Sequence, residues 1–150
     1  MKLLLAILLT TSCIATPTKT PRLRALWNLE EVARCKLHHS AIVYNNYGCW
    51  CGVGGAHTPV DGIDECCRRH DKCYDAAQCY DVEEEYVDPY KWTCDNSTPT
   101  CDGTNSGCGA ALCRCDLAVA ECWSQYPKPT FKPKCNNIDL WRTPNGNFSL

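Results

Sequence analysis

The chain has 150 residues, a formal net charge of −2 and 15 cysteines. This length allows one domain. Residues 1–24 contain four of the 15 basic residues and no acidic one, so the remainder carries 11 basic against 17 acidic residues, a net charge of 11 − 17 = −6. A negative domain argues against a nucleic-acid partner and against a purely electrostatic attraction to anionic membranes.

The N-terminal segment is typical of targeting and processing sequence. Lys2 precedes an apolar run that is too short to span a membrane and is followed by small residues up to Ala15, so we predict a signal peptide over residues 1–15. The basic, proline-containing residues that follow end at Arg24 and predict a propeptide over 16–24, removed by a trypsin-like protease. A longer disordered N-terminus is the alternative. One domain then occupies residues 25–150.

The cysteines predict a cross-linked extracellular protein. Cys13 lies in the predicted signal peptide, which leaves 15 − 1 = 14 cysteines, enough for seven disulfides. Such a density is typical of secreted domains whose small core needs reinforcement. A zinc cluster is disfavoured because most of the cysteines lack the paired short spacings of structural zinc sites.

Helical periodicity alternates with turn-rich sequence along the rest of the chain. Asp61 and Asp64 are both candidate N-caps for the second of the predicted helices. In chain order, we predict an amphipathic helix over 26–37, a glycine loop over 45–59, a helix from about 64 to the glutamates at 83–85, a small hairpin within 88–107, a helix over 108–123 and an extended arm beyond 126.

Two helices carry matched cysteines. Cys66 and Cys73 are seven residues apart, as are Cys115 and Cys122. Seven residues is about two helical turns, so each pair lies on one face of its helix. Two disulfides could therefore join the faces in a parallel or an antiparallel arrangement, and the spacing alone does not choose between them.

The most informative segment is YGCWCGVGGAHTPVDGIDECCRRHDKCY, which places the glycine loop before an adjacent His70 and Asp71. Such a loop can turn its carbonyls toward a hard cation, and Asp71 could add carboxylate oxygens, which calcium prefers. His70 is then free to act as a base. In the antiparallel register Asp116 lies within roughly one turn of the level of His70, where a carboxylate can fix the imidazole tautomer. A hydrogen-bonded core histidine is the alternative.

Three motifs, YGCWCGVGG, CCRRHDKCY and CRCD, resemble those of the secreted phospholipase A2 family, and ALWNL after Arg24 is similar to its pancreatic-type subgroup. The resemblance implies a mainly α, small disulfide-rich fold: two antiparallel disulfide-linked helices, an N-terminal helix, a calcium-binding loop and a short β-hairpin. The disulfides it implies are Cys35–Cys94, Cys49–Cys135, Cys51–Cys67, Cys66–Cys122, Cys73–Cys115, Cys79–Cys108 and Cys101–Cys113.

The resemblance also implies an activity, namely calcium-dependent hydrolysis of the sn-2 ester of glycerophospholipids at lipid–water interfaces. In this family the histidine activates a water, and a buried aspartate orients the histidine. A backbone N–H of the loop stabilises the oxyanion, and two tyrosines donate hydrogen bonds to the buried aspartate. The catalytic residues implied here are His70, Asp116, Gly52, Tyr74 and Tyr90. The implied calcium ligands are the backbone carbonyls of Trp50, Gly52 and Gly54 and the Asp71 carboxylate.

Three residues depart from the family's usual pattern. His57 stands where glycine is usual, and a positive φ there would strain it and weaken calcium binding. Trp50 replaces the commoner tyrosine, and Asn28 stands where glutamine is often found.

The sequence also suggests surface features. The apolar residues Leu26, Trp27 and Val53 could be core or could form a rim that contacts the lipid surface. Asn96 and Asn147 begin N-x-S/T sequons. Pro99 follows the first closely and the second is near a free end, so the sequence leaves their use open.

A non-catalytic toxin or receptor-binding module on the same scaffold is the competing function. In such relatives the histidine or the calcium-binding aspartate is typically replaced, whereas His70 and Asp71 are both present. The sequence therefore favours a secreted enzyme, and a receptor as an additional partner is compatible with it.

Overall fold

The computed structural model describes residues 24–77, 79 and 90–135, with side chains described from residue 27 onward. Within these residues the secondary structure is largely helical. Its elements are α1 (Arg24–Leu37), a short 3-10 helix (Ala41–Val43), α2 (Gly62–Ala76), β1 (Trp92–Asp95), β2 (Thr98–Cys101) and α3 (Gly107–Trp123). The two strands form an antiparallel hairpin. The predicted fold class, mainly helical with a short hairpin, is confirmed.

The bounds of α2 differ from the prediction. The helix begins at Gly62 because the Asp61 side chain accepts a hydrogen bond from the Asp64 N–H, so Asp61 rather than Asp64 is the N-cap. It ends at Ala76, since Ala77 takes an extended conformation with ψ of 128°. The prediction that this helix continues to Glu83–Glu85 is therefore wrong. Those glutamates lie outside the described residues.

Two disulfides decide the direction of α2 against α3. Cys66, near the start of α2, bonds Cys122, near the end of α3, and Cys73 bonds Cys115. The helices are therefore antiparallel. All seven disulfides agree with the pairs that the family resemblance implies, and their density fits an extracellular protein.

The core lies on both sides of α3, which packs against α1 and α2. Val32 of α1 and Leu112 of α3 are completely buried on one side. On the other side Trp123 stacks on Tyr44 with ring centroids 4.1 Å apart. In the described part of the chain, no helix combines the length and the apolar character needed to cross a membrane.

A buried carboxylate attaches the glycine loop, residues 45–59, to α2. Asp64 has no exposed surface, and its oxygens accept hydrogen bonds from the backbone N–H groups of Cys49 at 2.8 Å, Trp50 at 2.7 Å and Val60 at 2.9 Å. Gly48 has a φ of +61°, and a Cβ there would lie 2.3 Å from the Asp64 Cγ. The carboxylate therefore fixes both ends of the loop and requires glycine beside it.

We predict that Asp64→Asn lowers the free energy of unfolding by about 1.5–3 kcal/mol, because one amide oxygen cannot replace a carboxylate that accepts three N–H groups. Denaturant unfolding of the disulfide-intact protein measures the loss, and hydrogen exchange should show reduced protection at Cys49, Trp50 and Val60. Asp75→Asn, the same change at an exposed position of α2, should leave both unaltered. Unchanged stability and protection in Asp64→Asn would show that these hydrogen bonds do not hold the loop.

Candidate active site

The antiparallel register brings His70 of α2 to Asp116 of α3. The His70 Nε2 lies 2.7 Å from the Asp116 Oδ1, and Asp116 has no exposed surface. Because a carboxylate only accepts hydrogen bonds, Nε2 carries the proton and Nδ1 is left with its lone pair. No hydrogen bond to Nδ1 is present within the described residues. The imidazole is thus held in the tautomer that can accept a proton at Nδ1.

Two tyrosines complete the surroundings of Asp116. Tyr74 donates to its Oδ1 at 2.8 Å, and Tyr90 donates to its Oδ2 at 2.5 Å. Burial, followed by the nearby Asp116 charge, raises the pKa of Tyr90 far above its ordinary value, so its hydroxyl keeps its proton and remains a donor. With His70, three donors compensate the buried carboxylate, which unpaired would cost several kcal/mol.

Helix α1 holds Tyr90 in place. The Asn28 side chain, which is itself buried, donates to the Tyr90 carbonyl at 2.8 Å. In the sequence, Asn28 differs from the family only in replacing the usual glutamine. Its hydrogen-bond partner is 62 positions away. No local signal predicts a contact of that range. Through it, α1 positions one of the tyrosines around Asp116.

The glycine loop offers backbone groups that are free of other partners. Gly52 and Gly54 have positive φ values of 149° and 72°, which glycine adopts readily. Among the described residues, no donor is hydrogen-bonded to the carbonyls of Trp50, Gly52 or Gly54, and the Gly52 N–H has no acceptor. Three carbonyl oxygens and one N–H are therefore available to a ligand.

Asp71 follows His70 on α2 and is half-buried. Burial raises the pKa of its carboxyl to about 6, because a carboxylate in a less polar environment is disfavoured unless a cation compensates it. Asp71 forms neither a hydrogen bond nor an ion pair with any described side chain. A carboxylate together with free carbonyls is an all-oxygen donor set, which suits calcium. These residues fit the metal that the sequence predicts.

Trp50 and His57, two of the departures from the family pattern, contact each other. His57 has a φ of +71°, so its position does require the left-handed conformation that favours glycine. The Trp50 Nε1 donates to the His57 carbonyl at 2.9 Å. The Trp50 ring also covers Gly55, where a Cβ would lie 2.1 Å from the ring. A tryptophan side chain thus holds the strained segment of the loop.

Several large apolar side chains are exposed. Of the predicted rim, Trp27 is 63 % exposed and Val53 fully so, whereas the Leu26 side chain lies outside the described residues. Ile42 and Phe131, at 64 % and 75 % exposed, were missed in the sequence. The sequence signal for an exposed Phe131 is its position as an isolated phenylalanine in the polar segment PTFKPK.

Hydrogen bonds connect these two additional residues to the loop. Lys132, next to Phe131, donates to the carbonyls of Ile42 and Asn45 at 3.4 and 2.7 Å. The Asn45 side chain in turn lies beside Gly52, the residue before Val53. The chain segments that carry Ile42, Val53 and Phe131 therefore lie close to one another.

The chain is similar to a known family over most of its length. The Phospholipase A2 family matches residues 26–136. Proteins named Phospholipase A2 are similar to the chain: one from Bos taurus is 39 % identical, covering 77 % of this chain and 83 % of its own, and one from Ovis aries is 41 % identical, covering 69 % and 89 %. A third, from Oryctolagus cuniculus, is 36 % identical and covers 89 % and 96 %. The chain therefore belongs to the phospholipase A2 family and is an enzyme that hydrolyses phospholipids.

Proposed function

We propose that this enzyme hydrolyses the sn-2 acyl ester of glycerophospholipids in a calcium-dependent reaction, with His70 as the general base. The observation that carries the proposal is the contact of 2.7 Å between the His70 Nε2 and the buried Asp116 carboxylate. It directs the free Nδ1 away from Asp116 and leaves it available to a water. Asp71, the next residue, supplies the carboxylate of the metal site.

The reaction follows from the position of the proton. Nδ1 of His70 takes a proton from a water whose oxygen attacks the sn-2 carbonyl carbon, and the Asp116 carboxylate stabilises the resulting imidazolium. The Gly52 N–H donates to the oxygen that becomes negative. The bond from carbon to the glycerol oxygen then breaks, and Nδ1 returns the proton to that oxygen. The products are a fatty acid and a lysophospholipid.

The metal site comprises the carbonyls of Trp50, Gly52 and Gly54 and the carboxylate of Asp71. Calcium bound there would polarise the ester carbonyl and offset the negative charge that develops on its oxygen. This assignment is supported by the carbonyls and by the half-buried Asp71 carboxylate, none of which has a hydrogen-bond or ion-pair partner among the described residues. The hydrogen bond from Trp50 to His57 supports a loop shape that persists despite a non-glycine residue at position 57.

The lipid surface is bound mainly through apolar contacts. The net charge of −6 for residues 25–150 disfavours attraction to an anionic bilayer. Trp27, Val53, Ile42 and Phe131 each expose a large apolar side chain, and the last three lie around the glycine loop. We assign them, with Leu26, to a membrane-contacting rim beside the active site.

The enzyme acts outside the cell. Seven disulfides and the predicted signal peptide over residues 1–15 support secretion. Removal of residues 16–24 as a propeptide would leave residues 25–150 as the active enzyme. A purely non-catalytic toxin or receptor-binding role is less well supported, because His70, Asp71 and Asp116 are all retained.

We expect His70→Gln to lower the rate of fatty acid release by roughly 10²–10⁴-fold, the usual contribution of a general base, while circular dichroism stays unchanged because the disulfides hold α2 and α3. The measurement uses mixed phospholipid vesicles with calcium present. Arg69→Gln, the same replacement at the exposed neighbour, should retain activity. If His70→Gln keeps its rate within a few-fold of the wild type and the native spectrum, His70 is not the base.

Asp71→Asn should weaken calcium binding by more than about 100-fold, because it removes the anionic ligand. This loss of affinity is larger than the loss caused by replacing a residue that only supports a ligand. Titration calorimetry of the protein with calcium measures this without reference to activity. Asp75→Asn, an exposed aspartate one turn along α2, serves as the control. An unchanged calcium isotherm in Asp71→Asn would place the metal elsewhere.

Trp27→Ala should weaken binding to phospholipid vesicles by roughly tenfold or more, because burial of a large apolar side chain contributes about 1.5–3 kcal/mol. Hydrolysis of a soluble short-chain phospholipid should change much less. Tyr126→Ala is the control, because it removes a partly exposed aromatic ring that follows α3 and lies against Gly62. Wild-type vesicle binding by Trp27→Ala, together with release of both proteins by about 1 M salt, would instead indicate electrostatic attachment.

A further inference from the structure

The turn of the β-hairpin presents a sequon that the hydrolytic mechanism does not use. Asp95 pairs with Thr98, so Asn96 and Ser97 form a two-residue turn between β1 and β2. Both have left-handed φ values, 47° and 62°, as two-residue hairpin turns often require. Asparagine tolerates this conformation better than most residues. Asn96, Ser97 and Thr98 form the N-x-T acceptor sequence for N-linked glycosylation.

The three sequon residues face different ways. Asn96 and Thr98 are exposed. Ser97, between them, is half-buried, and its Oγ lies 3.1 Å from the Nε2 of His38. The middle residue thus contacts the body of the protein while the two residues needed for modification face solvent. The Asn96 side-chain amide has no hydrogen-bond partner among the described residues.

The position of the hairpin is fixed on both sides of the turn. Cys94 on β1 is bonded to Cys35 of α1, and Cys101 on β2 is bonded to Cys113 of α3. These two bonds hold the strands in place, and Asn96 at the turn is exposed. A bulky, hydrated group on Asn96 would project into solvent and would displace no packed side chain.

We propose that Asn96 carries an N-linked glycan in the secreted enzyme. The side-chain amide nitrogen forms a bond to the anomeric carbon of an oligosaccharide held on a lipid pyrophosphate. The pyrophosphate leaves with the bonding electrons, and the amide gives up one proton. The proposal depends on entry into the secretory pathway, and it is independent of the base and metal assigned to the hydrolysis.

The chain contains a second sequon at Asn147, which lies outside the described residues and supplies a matched control. The full chain is expressed in a eukaryotic secretory host, and both the medium and the cell extract are treated with peptide N-glycosidase. We expect the wild type to lose mass on treatment and to show aspartate in place of Asn96 in the peptide spectrum. Asn147→Asp should retain the mass loss at Asn96.

Two substitutions remove the acceptor by different routes. Asn96→Asp keeps a residue that tolerates the left-handed turn but lacks the amide, and Thr98→Val removes the hydroxyl while retaining a β-branched side chain. Both should abolish the modification at this site. Ser97→Ala removes the contact with His38 and keeps the sequon, so it should remain modified.

The presence or absence of a glycan on Asn96 decides whether the proposal holds. An unmodified Asn96 in the wild type, in both the medium and the cells, overturns the proposal, as does a mass loss that depends on Asn147 alone. Fatty acid release is measured in parallel. An active but unmodified protein contradicts the glycan only, whereas a glycosylated but inactive protein contradicts only the proposed hydrolysis.

Discussion

The register of α2 against α3 is the constraint on which the active site depends. Cys66–Cys122 and Cys73–Cys115 join the two helices at levels about two turns apart, each with Cα atoms 5.7 Å apart. Two such cross-links prevent the helices from sliding. His70 lies between the two cysteines of α2, so the same register brings it to Asp116. Covalent bonds therefore set the distance between His70 and Asp116 on which the proposed proton transfer depends.

Two buried carboxylates, Asp116 and Asp64, organise the two halves of the site. Neither has exposed surface, and each accepts three hydrogen bonds. Burial of an uncompensated charge would cost several kcal/mol, so these complete donor sets are necessary for a stable fold. Asp116 accepts from side chains and orients an imidazole. Asp64 accepts from backbone N–H groups and shapes the loop, which leaves the carbonyls of that loop free for a ligand.

The glycine loop shows how one departure from a family pattern can be accommodated by another. His57 occupies a left-handed position, where a residue with a Cβ costs more than glycine. The Trp50 indole donates a hydrogen bond to the His57 carbonyl, and its ring packs on Gly55. The two residues are therefore in direct contact within the loop.

The sequence by itself determined the three helices and the hairpin, because helical periodicity and turn residues are local patterns. The His70–Asp71 pair and the family resemblance support the chemistry proposed for the site, and the resemblance implies the class of the fold. Only the tertiary structure decided the rest. It decided between the parallel and antiparallel directions that the cysteine spacing leaves open, in agreement with the family resemblance. It also ended α2 at Ala76, gave Asp64 its three backbone donors and connected Asn28 to Tyr90. These contacts join residues 4 to 62 positions apart, and periodicity does not specify which distant groups will satisfy a buried donor or acceptor.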